Sequence, residues 1–426
     1  MNAIILSVGD ELVLGQTVDT NSAWLSAQLA AVGCGVAAHV TVPDDQATIE
    51  AAIRSASVQC DVLLISGGLG PTEDDLTRQA LAAVIGVPLE ADARWLAELE
   101  KFFSARSRTM PASNRGQAMI PRGTEMIFNT AGTAAGIHAI LPSATAPVSA
   151  SCHLFVMPGV PKEMKIMFER DVISFIRAAS GGAVILSRTL HTFGMGESVV
   201  AERLGDLMRR GRNPSVGTTV SQGVVSLRVN SRFASRDEAE VQLVQTANQC
   251  RAALGALIYG HDEQSLAEVV GTMLKSAPGA PTVSTAESCT GGLLGKMLTD
   301  RPGSSAYFGY GWVTYANHAK EQLLGVPLEL LQQHGAVSEP VVIAMSNGAR
   351  QRSGSTYALA ISGIAGPDGG TLAKPVGTVC IALAGPDGCR PRTFLFPGDR
   401  EMIRDRSAKM ALTLLRYHLL NEPAPF

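Results

Sequence analysis

Short apolar runs that end in a glycine turn and lead into a helical segment constrain this fold more than any other feature. The first run is AIILSVG, which ends at Gly9, and the second is VLLISGGLG, in which residues 62–65 are continuously apolar. A continuous apolar run of this length is typical of a strand buried on both faces. Helical periodicity follows over 19–31 and again over 77–85. The repeated order of strand, glycine loop and helix predicts an α/β fold with a parallel sheet and helices on both sides.

Units of the same kind recur along the chain and divide it into three blocks. They are 1–170, a smaller α/β block at 171–262, and 263–426. The chain has 426 residues, of which 46% are hydrophobic and 17% charged, so it can bury more than one core. We therefore predict a multidomain α/β protein, in which a parallel-sheet domain, a small middle domain and a C-terminal α/β domain follow each other.

Charge and cysteine content exclude several classes of protein. The formal net charge is -3, which provides no broad basic surface for nucleic acid. The seven cysteines are scattered without a CxxC pair, which disfavours a disulfide framework and a structural zinc site. The first residues lack the basic segment of a signal peptide, and no apolar run is long enough to span a membrane. We expect a cytoplasmic homodimer with no membrane partner.

The stretch SGGLGPTEDD in the first block is a candidate phosphate and metal site. Glycines at 67, 68 and 70 follow a predicted strand, and the amides of such a loop form a natural phosphate cradle. Asp74 and Asp75 come next, and adjacent carboxylates favour a shared hard cation such as magnesium. The alternative is that both carboxylates cap the following helix.

The stretch TAESCTGG at 285–292 sets two candidate nucleophiles side by side. Ser288 lies at a strand-to-helix junction, and Lys320, if desolvated beside it, can serve as its base. The alternatives are that Ser288 caps the helix and that Lys320 is an ordinary solvated lysine. Backbone amides at the helix start are free to stabilise an oxyanion or to bind phosphate, and they belong to Thr290, Gly291 and Gly292.

Cys289 offers a second mechanism. A cysteine nucleophile usually recruits a histidine base, and His318 and His334 are both available. At a helix start the side chains of Ser288 and Cys289 diverge by roughly 100°, so only one of them can face a substrate.

A second glycine loop, SGIAGPDGG at 362–370, fits the same pocket, because the carboxyl ends of parallel strands meet at one sheet edge. Arg400 and Arg404 are spaced for one helix face and could clamp a phosphate. Their alternative is a solvated face paired with Glu401 and Asp405. The remaining candidates are Tyr315 for catalysis and, for binding, Ser304, Thr314, Asn317, Ser362, Gly363 and Gly366.

These motifs resemble the CinA family, the competence/damage-inducible proteins. In the first block the resemblance rests on GDELVLGQTVDTN, SGGLGPTEDDLT, NTAGTAAG and MPGVPKEM, and SGGLGPTEDDLT is also similar to the molybdopterin-binding fold of the MoaB/MogA proteins. In the third block it rests on AESCTGG, PGSS, VTYANHAKEQLLGV, HGAVSEP, SGIAGPDGG and KPVGTV.

For the first domain, the resemblance implies hydrolysis of the pyrophosphate of ADP-ribose with a divalent metal such as magnesium, manganese or cobalt. A metal between two phosphates neutralises charge and activates water. Asp19 and Asn21 would then hold a ribose or orient the loop. The phosphate ligands would be Gly67, Gly68 and Gly70, and the metal or water ligands Asp10, Glu11, Asp74 and Asp75.

For the third domain, the resemblance implies deamidation of nicotinamide mononucleotide (NMN) to nicotinic acid mononucleotide and ammonia, without a cofactor. With the resemblance included, we favour Ser288 and Lys320 over Cys289 and His318. Two other functions remain open. The first, which rests on the first domain alone, is molybdopterin binding. The second, which the family name suggests, is a non-enzymatic role as a partner in DNA uptake or repair.

Overall fold

The computed structural model describes residues 1–142, 151–179 and 184–426. The chain divides into two compact units. One comprises Met1–Leu186 with Ser231–Gln242, and the other comprises Ser187–Asn230 with Leu243–Phe426.

The first unit is built on a six-stranded sheet in the order β2-β1-β3-β8-β7-β6. The first four strands in this order are parallel, and β7 pairs antiparallel with both β8 and the edge strand β6. A two-stranded ribbon, β4-β5, lies apart from it. The bounds are β1 Asn2–Val8, β2 Gly35–Val42, β3 Val62–Ser66, β4 Leu89–Ala91, β5 Met119–Pro121, β6 Glu125–Ile127, β7 Gly136–Pro142 and β8 Ser151–Met157.

Helices cover both faces of this sheet, as the sequence predicts. Successive residues of β1 point to opposite faces, so Ile4 packs with Ile49 of one helix layer and Ile5 packs with Leu25 of the other. The helices of this unit are α1 Asp10–Val13, α2 Thr20–Ala31, α3 Gln46–Ser57, α4 Thr77–Ile85, α5 Ala93–Ser104, α6 Pro161–Met167 and α7 Ile173–Ala179.

The middle segment forms a four-stranded sheet in the order β10-β11-β9-β12, with two helices. In β11 the residues Val225, Leu227 and Val229 are buried while their neighbours are less so, which is the alternation of a half-buried strand. The elements are β9 Val184–Phe193, α8 Glu197–Leu204, β10 Ser215–Ser221, β11 Val224–Phe233, α9 Arg236–Leu254 and β12 Ile258–His261.

The last segment carries a five-stranded sheet in the order β14-β13-β15-β16-β17. The central strand β13 runs parallel to both of its neighbours, whereas β16 and β17 are antiparallel. The sheet is therefore mixed, with its parallel part around β13. The strands are β13 Val283–Glu287, β14 Phe308–Val313, β15 Tyr357–Gly363, β16 Thr378–Gly385 and β17 Gly388–Leu395.

Helices again lie on both faces of this sheet. One layer packs Val270 and Leu412 against Leu359, and the other packs Met345 against Ala360. The helices are α10 Leu266–Ser276, α11 Leu293–Thr299, α12 Asn317–Leu324, α13 Leu328–His334, α14 Glu339–Ser353 and α15 Arg400–Leu420. Among the described residues, no helix is both long enough and apolar enough to cross a membrane.

Candidate functional site

Three parallel strand ends meet at Ser288. The last residue of β13, Glu287, pairs with Val313 of β14 and with Ile361 of β15. The chain continues this pairing, because the amide of Ser288 donates to the carbonyl of Ile361 at 2.9 Å. The glycine loops after β13 and β15 therefore share one edge of the sheet, where ligands of such sheets bind.

Lys320 reaches Ser288 from the first turns of α12. Its Nζ lies 3.1 Å from Oγ of Ser288, and the side chain is only 1% exposed. Nζ also donates to the carbonyl of Thr314 at 2.9 Å and to that of Tyr315 at 3.2 Å. In the described part of the chain, no carboxylate bonds to this amine. The interpretation of Lys320 as an ordinary solvated lysine is therefore wrong.

Nζ of Lys320 lies within hydrogen-bond distance of three oxygens, those of Ser288, Thr314 and Tyr315. Burial lowers the pKa of Lys320, because removing the ammonium from water disfavours its charged form, and the neighbouring Cys289 acts weakly in the opposite direction. A neutral amine has two N–H donors and one lone pair. The protonated amine donates to Oγ of Ser288. Once it has lost a proton, its two remaining N–H groups can serve the two carbonyls, and its lone pair can then accept the hydroxyl of Ser288.

Cys289 points into the core instead. Its side chain is 5% exposed and belongs to the apolar cluster that contains Leu294 and Val379. Burial raises the pKa of its thiol to about 12, so the thiolate that a cysteine nucleophile requires is disfavoured. His318 lies exposed on α12, and among the described residues no hydrogen bond joins it to Cys289.

Glu287 organises the turn that carries Ser288, and the sequence reasoning missed it. Its carboxylate is buried and accepts the amides of Gly292 at 3.0 Å, Leu294 at 3.0 Å and Gly295 at 2.8 Å. The negative carboxylate therefore stabilises the positive end of the α11 helix dipole. A glutamate at a strand end directly before a glycine-rich helix start is the signal that could have indicated this role.

The prediction of free amides at Gly291 and Gly292 is wrong. The amide of Gly292 is taken by Glu287, and that of Gly291 donates to the carbonyl of Ser288 at 3.0 Å. Both glycines adopt left-handed backbone conformations, with φ of 60° and 95°. They shape the turn, and both of their amides are already hydrogen-bonded within the protein.

Arg400 and Arg404 on α15 hold the loops around the site. Arg400 donates to the carbonyl of Gly366 at 2.6 Å and to the hydroxyl of Tyr315 at 2.9 Å. Arg404 donates to the carbonyl of Thr290 at 2.7 Å. Within residues 184–426, no ion pair joins these arginines to Glu401 or Asp405, because Asp405 pairs with Lys409 at 2.7 Å. The alternative of a salt-bridged surface face is wrong.

Three buried polar atoms near this network have no hydrogen-bond partner among the described residues. They are the hydroxyls of Thr290 and Thr314 and the Nε of Arg404. Buried polar groups are normally satisfied, so these atoms fit a site that receives a polar ligand. The backbone carbonyl of Thr290 accepts a hydrogen bond from Arg404. The backbone carbonyl of Thr314 accepts one from Lys320.

The other predicted binding residues are distributed unevenly. Ser362 and Gly363 end β15, where the hydroxyl of Ser362 donates to the carbonyl of Ala336 at 2.7 Å. Asn317 begins α12 and is exposed. Ser304 lies ahead of β14, whose first residue, Phe308, pairs with Val283 at the start of β13. Within one chain, Ser304 is therefore at the opposite end of the parallel strands from Ser288 and is not brought to it.

The glycine loop of the first unit has the predicted close backbone approaches. Gly67 has φ of 114°, and a side chain there would lie 2.2 Å from the carbonyl oxygen of Val8. A side chain on Gly68 would lie 2.0 Å from the hydroxyl of Thr77. The loop borders a cavity of about 430 Å³, which is also lined by Gly70 and by several carboxylates.

Neither aspartate of this loop caps α4. The N-cap position is Leu76, which provides no side-chain bond. Asp75 braces the loop instead: it accepts the amides of Gly70 at 2.6 Å and Thr72 at 2.9 Å, and the hydroxyl of Thr72. Asp74 is exposed and lines the cavity. Asp75 is therefore a structural brace, and its place in the predicted metal set is not supported by its contacts.

Asp44, which the sequence reasoning missed, joins the remaining carboxylates. Its side chain accepts the amide of Asp10 at 2.9 Å, and Asp10 accepts the amide of Asp44 at 3.2 Å. Burial raises the pKa of Asp44, and the charges of Asp10, Glu11 and Asp74 raise it further. Across residues 1–142, 151–179 and 184–426, however, no group of three or more acidic, histidine or cysteine side chains is arranged to hold a metal alone.

Asp19 and Asn21 orient the first loop. Asp19 caps α2 by accepting the amide of Ser22 at 2.9 Å. Burial acts to raise its pKa, but hydrogen bonds from Ser22 and Ser7 outweigh burial and lower it. Asn21 donates to Ser66 at 3.0 Å and to the carbonyl of Gly159 at 2.8 Å. Of the two predicted roles, ribose binding or loop orientation, these contacts match loop orientation.

Comparison with known protein families matches three successive segments. Residues 4–178 match "Probable molybdopterin binding domain", 187–260 match "Damage-inducible protein CinA KH domain", and 263–419 match "CinA C-terminal domain". The prediction of a MoaB/MogA-like first domain is confirmed, and the middle α/β segment is KH-like.

Two relatives match over nearly the whole chain. A "CinA-like protein" of Parasynechococcus marenigrum is 44% identical and covers 97% of this chain and 95% of its own. A "CinA-like protein" of Geobacter sulfurreducens is 41% identical, and the match covers 99% of this chain and 100% of the relative. Among solved structures, competence/damage inducible protein CihA from Agrobacterium tumefaciens is 39% identical over 37% of this chain and 97% of that chain, with a TM-score of 0.35.

Proposed function

The chain belongs to the CinA family, and on that premise we propose that its C-terminal domain hydrolyses the carboxamide of NMN to nicotinic acid mononucleotide and ammonia. The observation that carries the proposal is the contact of 3.1 Å between Nζ of Lys320 and Oγ of Ser288, made by a buried lysine that has no carboxylate partner among the residues described. A nucleophile and its base at this distance are the minimum requirement for covalent amide hydrolysis.

The reaction proceeds in two halves. Neutral Lys320 takes the proton of the Ser288 hydroxyl while Oγ attacks the carboxamide carbon. The tetrahedral intermediate collapses, the C–N bond breaks, and Lys320 returns the proton to the leaving ammonia. Water then attacks the Ser288 ester with Lys320 again as base, which releases the carboxylate product and restores the serine.

Substrate contacts follow from the polar atoms that border the site. The unpartnered hydroxyls of Thr290 and Thr314 are our candidates for hydrogen bonds to the carboxamide. Arg400 and Arg404 supply positive charge beside the loops and are our candidates for the phosphate of NMN. The two threonines would thus bind the nicotinamide end of NMN, and the two arginines would bind its phosphate end.

Deamidation should depend on pH through Lys320. The proton-accepting form is the neutral amine, so kcat/KM should rise with pH until the amine of the folded enzyme is deprotonated. Because burial lowers the pKa of Lys320, that plateau should begin below the ordinary value of lysine, 10.5. Initial rates of ammonia release between about pH 6 and pH 10 measure this. A rate that is flat over the whole range would contradict the role of Lys320 as base.

We further propose that the first domain hydrolyses the pyrophosphate of ADP-ribose with a divalent metal, of which magnesium, manganese and cobalt are the candidates. Carboxylate oxygens suit these ions, which commonly take only one or two carboxylates and complete their shell with phosphate oxygens and water. That pattern fits a cavity for which the described part of the chain offers no complete set of protein ligands. When bound, the metal would neutralise phosphate charge and activate water. Five carboxylates line the cavity. Asp75 is engaged by its own loop and Glu163 by Asn129, so the ones that would hold the metal are Glu11, Asp44 and Asp74.

The substitution Asp44→Asn tests this second activity. We expect metal-dependent release of AMP and ribose 5-phosphate from ADP-ribose to fall by about tenfold or more, because a metal ligand is lost. Asp45→Asn is the matched control, since Asp45 caps α3 through Thr48 and does not line the cavity. Equal activity of Asp44→Asn and the wild type would remove Asp44 from the site.

Molybdopterin binding by the first domain is the second candidate function, favoured by the family match over residues 4–178. It predicts tight binding of molybdopterin together with no turnover of ADP-ribose. Calorimetric titration with molybdopterin, run beside the ADP-ribose assay, separates the two.

A further inference from the structure

A second cavity lies in the unit formed by Ser187–Asn230 and Leu243–Phe426 and shares no lining residue with the network of Ser288 and Lys320. It has a volume of about 450 Å³, within the range of small-molecule sites in proteins. It is lined by the end of β9 and the turn before α8, by the β10–β11 hairpin, and by residues on and before α15. The deamidation proposed above leaves this cavity unexplained.

The walls of the cavity are mostly apolar. Phe193, Phe396 and Met410 are buried, and Val220 at the rim is 51% exposed. Two aromatic rings and a thioether favour a planar apolar body over a highly hydrated one. The walls therefore select a ligand that carries an aromatic ring.

Arg406 supplies the polar group of this cavity. Its Nη1 donates to the carbonyl of Pro397 at 3.1 Å, while its buried Nε has no partner among the described residues. Asp405, its neighbour on α15, is already paired with Lys409. The other charged residue of the lining, Glu197, is exposed and accepts the hydroxyl of Thr218 at 2.7 Å. An unpaired guanidinium donor beside apolar walls is complementary to a carboxylate.

The glycine at position 223 allows this arrangement. It has φ of 77°, and a side chain there would lie 3.2 Å from Nε and 3.3 Å from Cγ of Arg406. The bare backbone of the hairpin thus leaves space for the guanidinium at the wall of the cavity.

We propose that this cavity binds a small aromatic carboxylate, with the carboxylate on Arg406 and the ring among Phe193, Phe396 and Met410. The recognition uses one charge-assisted contact and an apolar slot, which is the usual composition of a small-molecule site. It does not depend on the deamidase or pyrophosphatase activity.

The test uses the full chain with benzoate as the probe and benzamide as its neutral isostere, titrated by ligand-observed NMR. We expect saturable binding of benzoate with a dissociation constant of about 1 mM or tighter, and at least tenfold weaker binding of benzamide. Arg406→Met should weaken benzoate binding tenfold or more. Arg209→Met is the matched control, because Arg209 is exposed and outside the cavity, and it should bind like the wild type.

A second variant, Val220→Trp, guards against misfolding of Arg406→Met. Val220 lies at the exposed rim, so a large ring there fills the cavity while the fold is kept, which circular dichroism verifies. We expect it to abolish benzoate binding. The proposal is overturned if the folded wild type shows no saturable binding up to about 10 mM. It is equally overturned if benzoate and benzamide bind alike, or if NMN displaces benzoate while Arg406→Met binds it normally.

Discussion

Replacing Ser288 by alanine should lower kcat for ammonia release from NMN by about a thousandfold or more. The physical reason is that the variant retains Lys320 and the surrounding loops but has no oxygen to form the ester intermediate. KM should change little, because the proposed carboxamide and phosphate contacts come from other residues. Steady-state kinetics with coupled ammonia detection measure both constants.

The neighbouring substitution, Cys289→Ala, is the matched control. It removes a buried sulfur from the core around Leu294 and Val379, so it should cost about 1 kcal/mol of folding free energy. We expect its kcat to stay within a few-fold of the wild type. The reverse pattern, with Cys289→Ala inactive and Ser288→Ala active, would assign the chemistry to the thiol.

Replacing Lys320 by methionine should lower kcat by between about a hundredfold and ten-thousandfold, the usual contribution of a positioned base. Methionine keeps the apolar length of the buried stem, so the loss reports on the amine and not on packing. The remaining activity should no longer show the pH dependence expected of the wild type. The carbonyls of Thr314 and Tyr315 lose a donor, so the melting temperature must be measured for the same preparation.

Lys296→Met is the control for Lys320→Met. Lys296 is 67% exposed and pairs with Asp300 at 2.8 Å on the surface of α11. A surface pair of this kind contributes little to stability, and it makes no contact with Ser288. We expect full activity. If Lys320→Met were also fully active, the serine would require a different base.

Local signals in the sequence were sufficient for most elements. The predicted helix at 77–85 coincides with α4, and the helix predicted from Asp19 begins at Thr20 with Asp19 as its cap. Capping residues and apolar periodicity act over a few positions, so they can be read from one sequence. The parallel arrangement around β13 likewise follows from runs that end in glycine turns.

Long-range contacts were not predictable in the same way. Arg404 and Thr290 are 114 residues apart, and only the fold shows that the guanidinium holds that carbonyl. Asp44 joins Asp10 across 34 residues. The wrong placement of Ser304 at the site has a related cause. Its motif follows the nucleophile in sequence, but in the fold it lies before the start of β14. Sequence order does not tell at which end of a strand a loop lies.

Nearby carboxylates that accept backbone amides explain the other differences between the predicted and the observed sites. The amides after Ser288 were expected to be free, since a helix start has unsatisfied donors. Glu287 instead takes the amide of Gly292, together with those of Leu294 and Gly295, because a buried carboxylate gains several charge-assisted hydrogen bonds there. The amide of Gly291 donates to the carbonyl of Ser288. In the first unit, Asp75 satisfies its own loop for the same reason.

The most direct test of the central claim is the stoichiometry of NMN turnover by the full chain, purified from a host that lacks its own deamidase. Ammonia and nicotinic acid mononucleotide are quantified together, with Ser288→Ala purified in parallel. We predict that the wild type forms the two products in equal amounts and that Ser288→Ala forms neither above background. A folded wild type that forms neither product, or a Ser288→Ala variant that forms both at the wild-type rate, would contradict it.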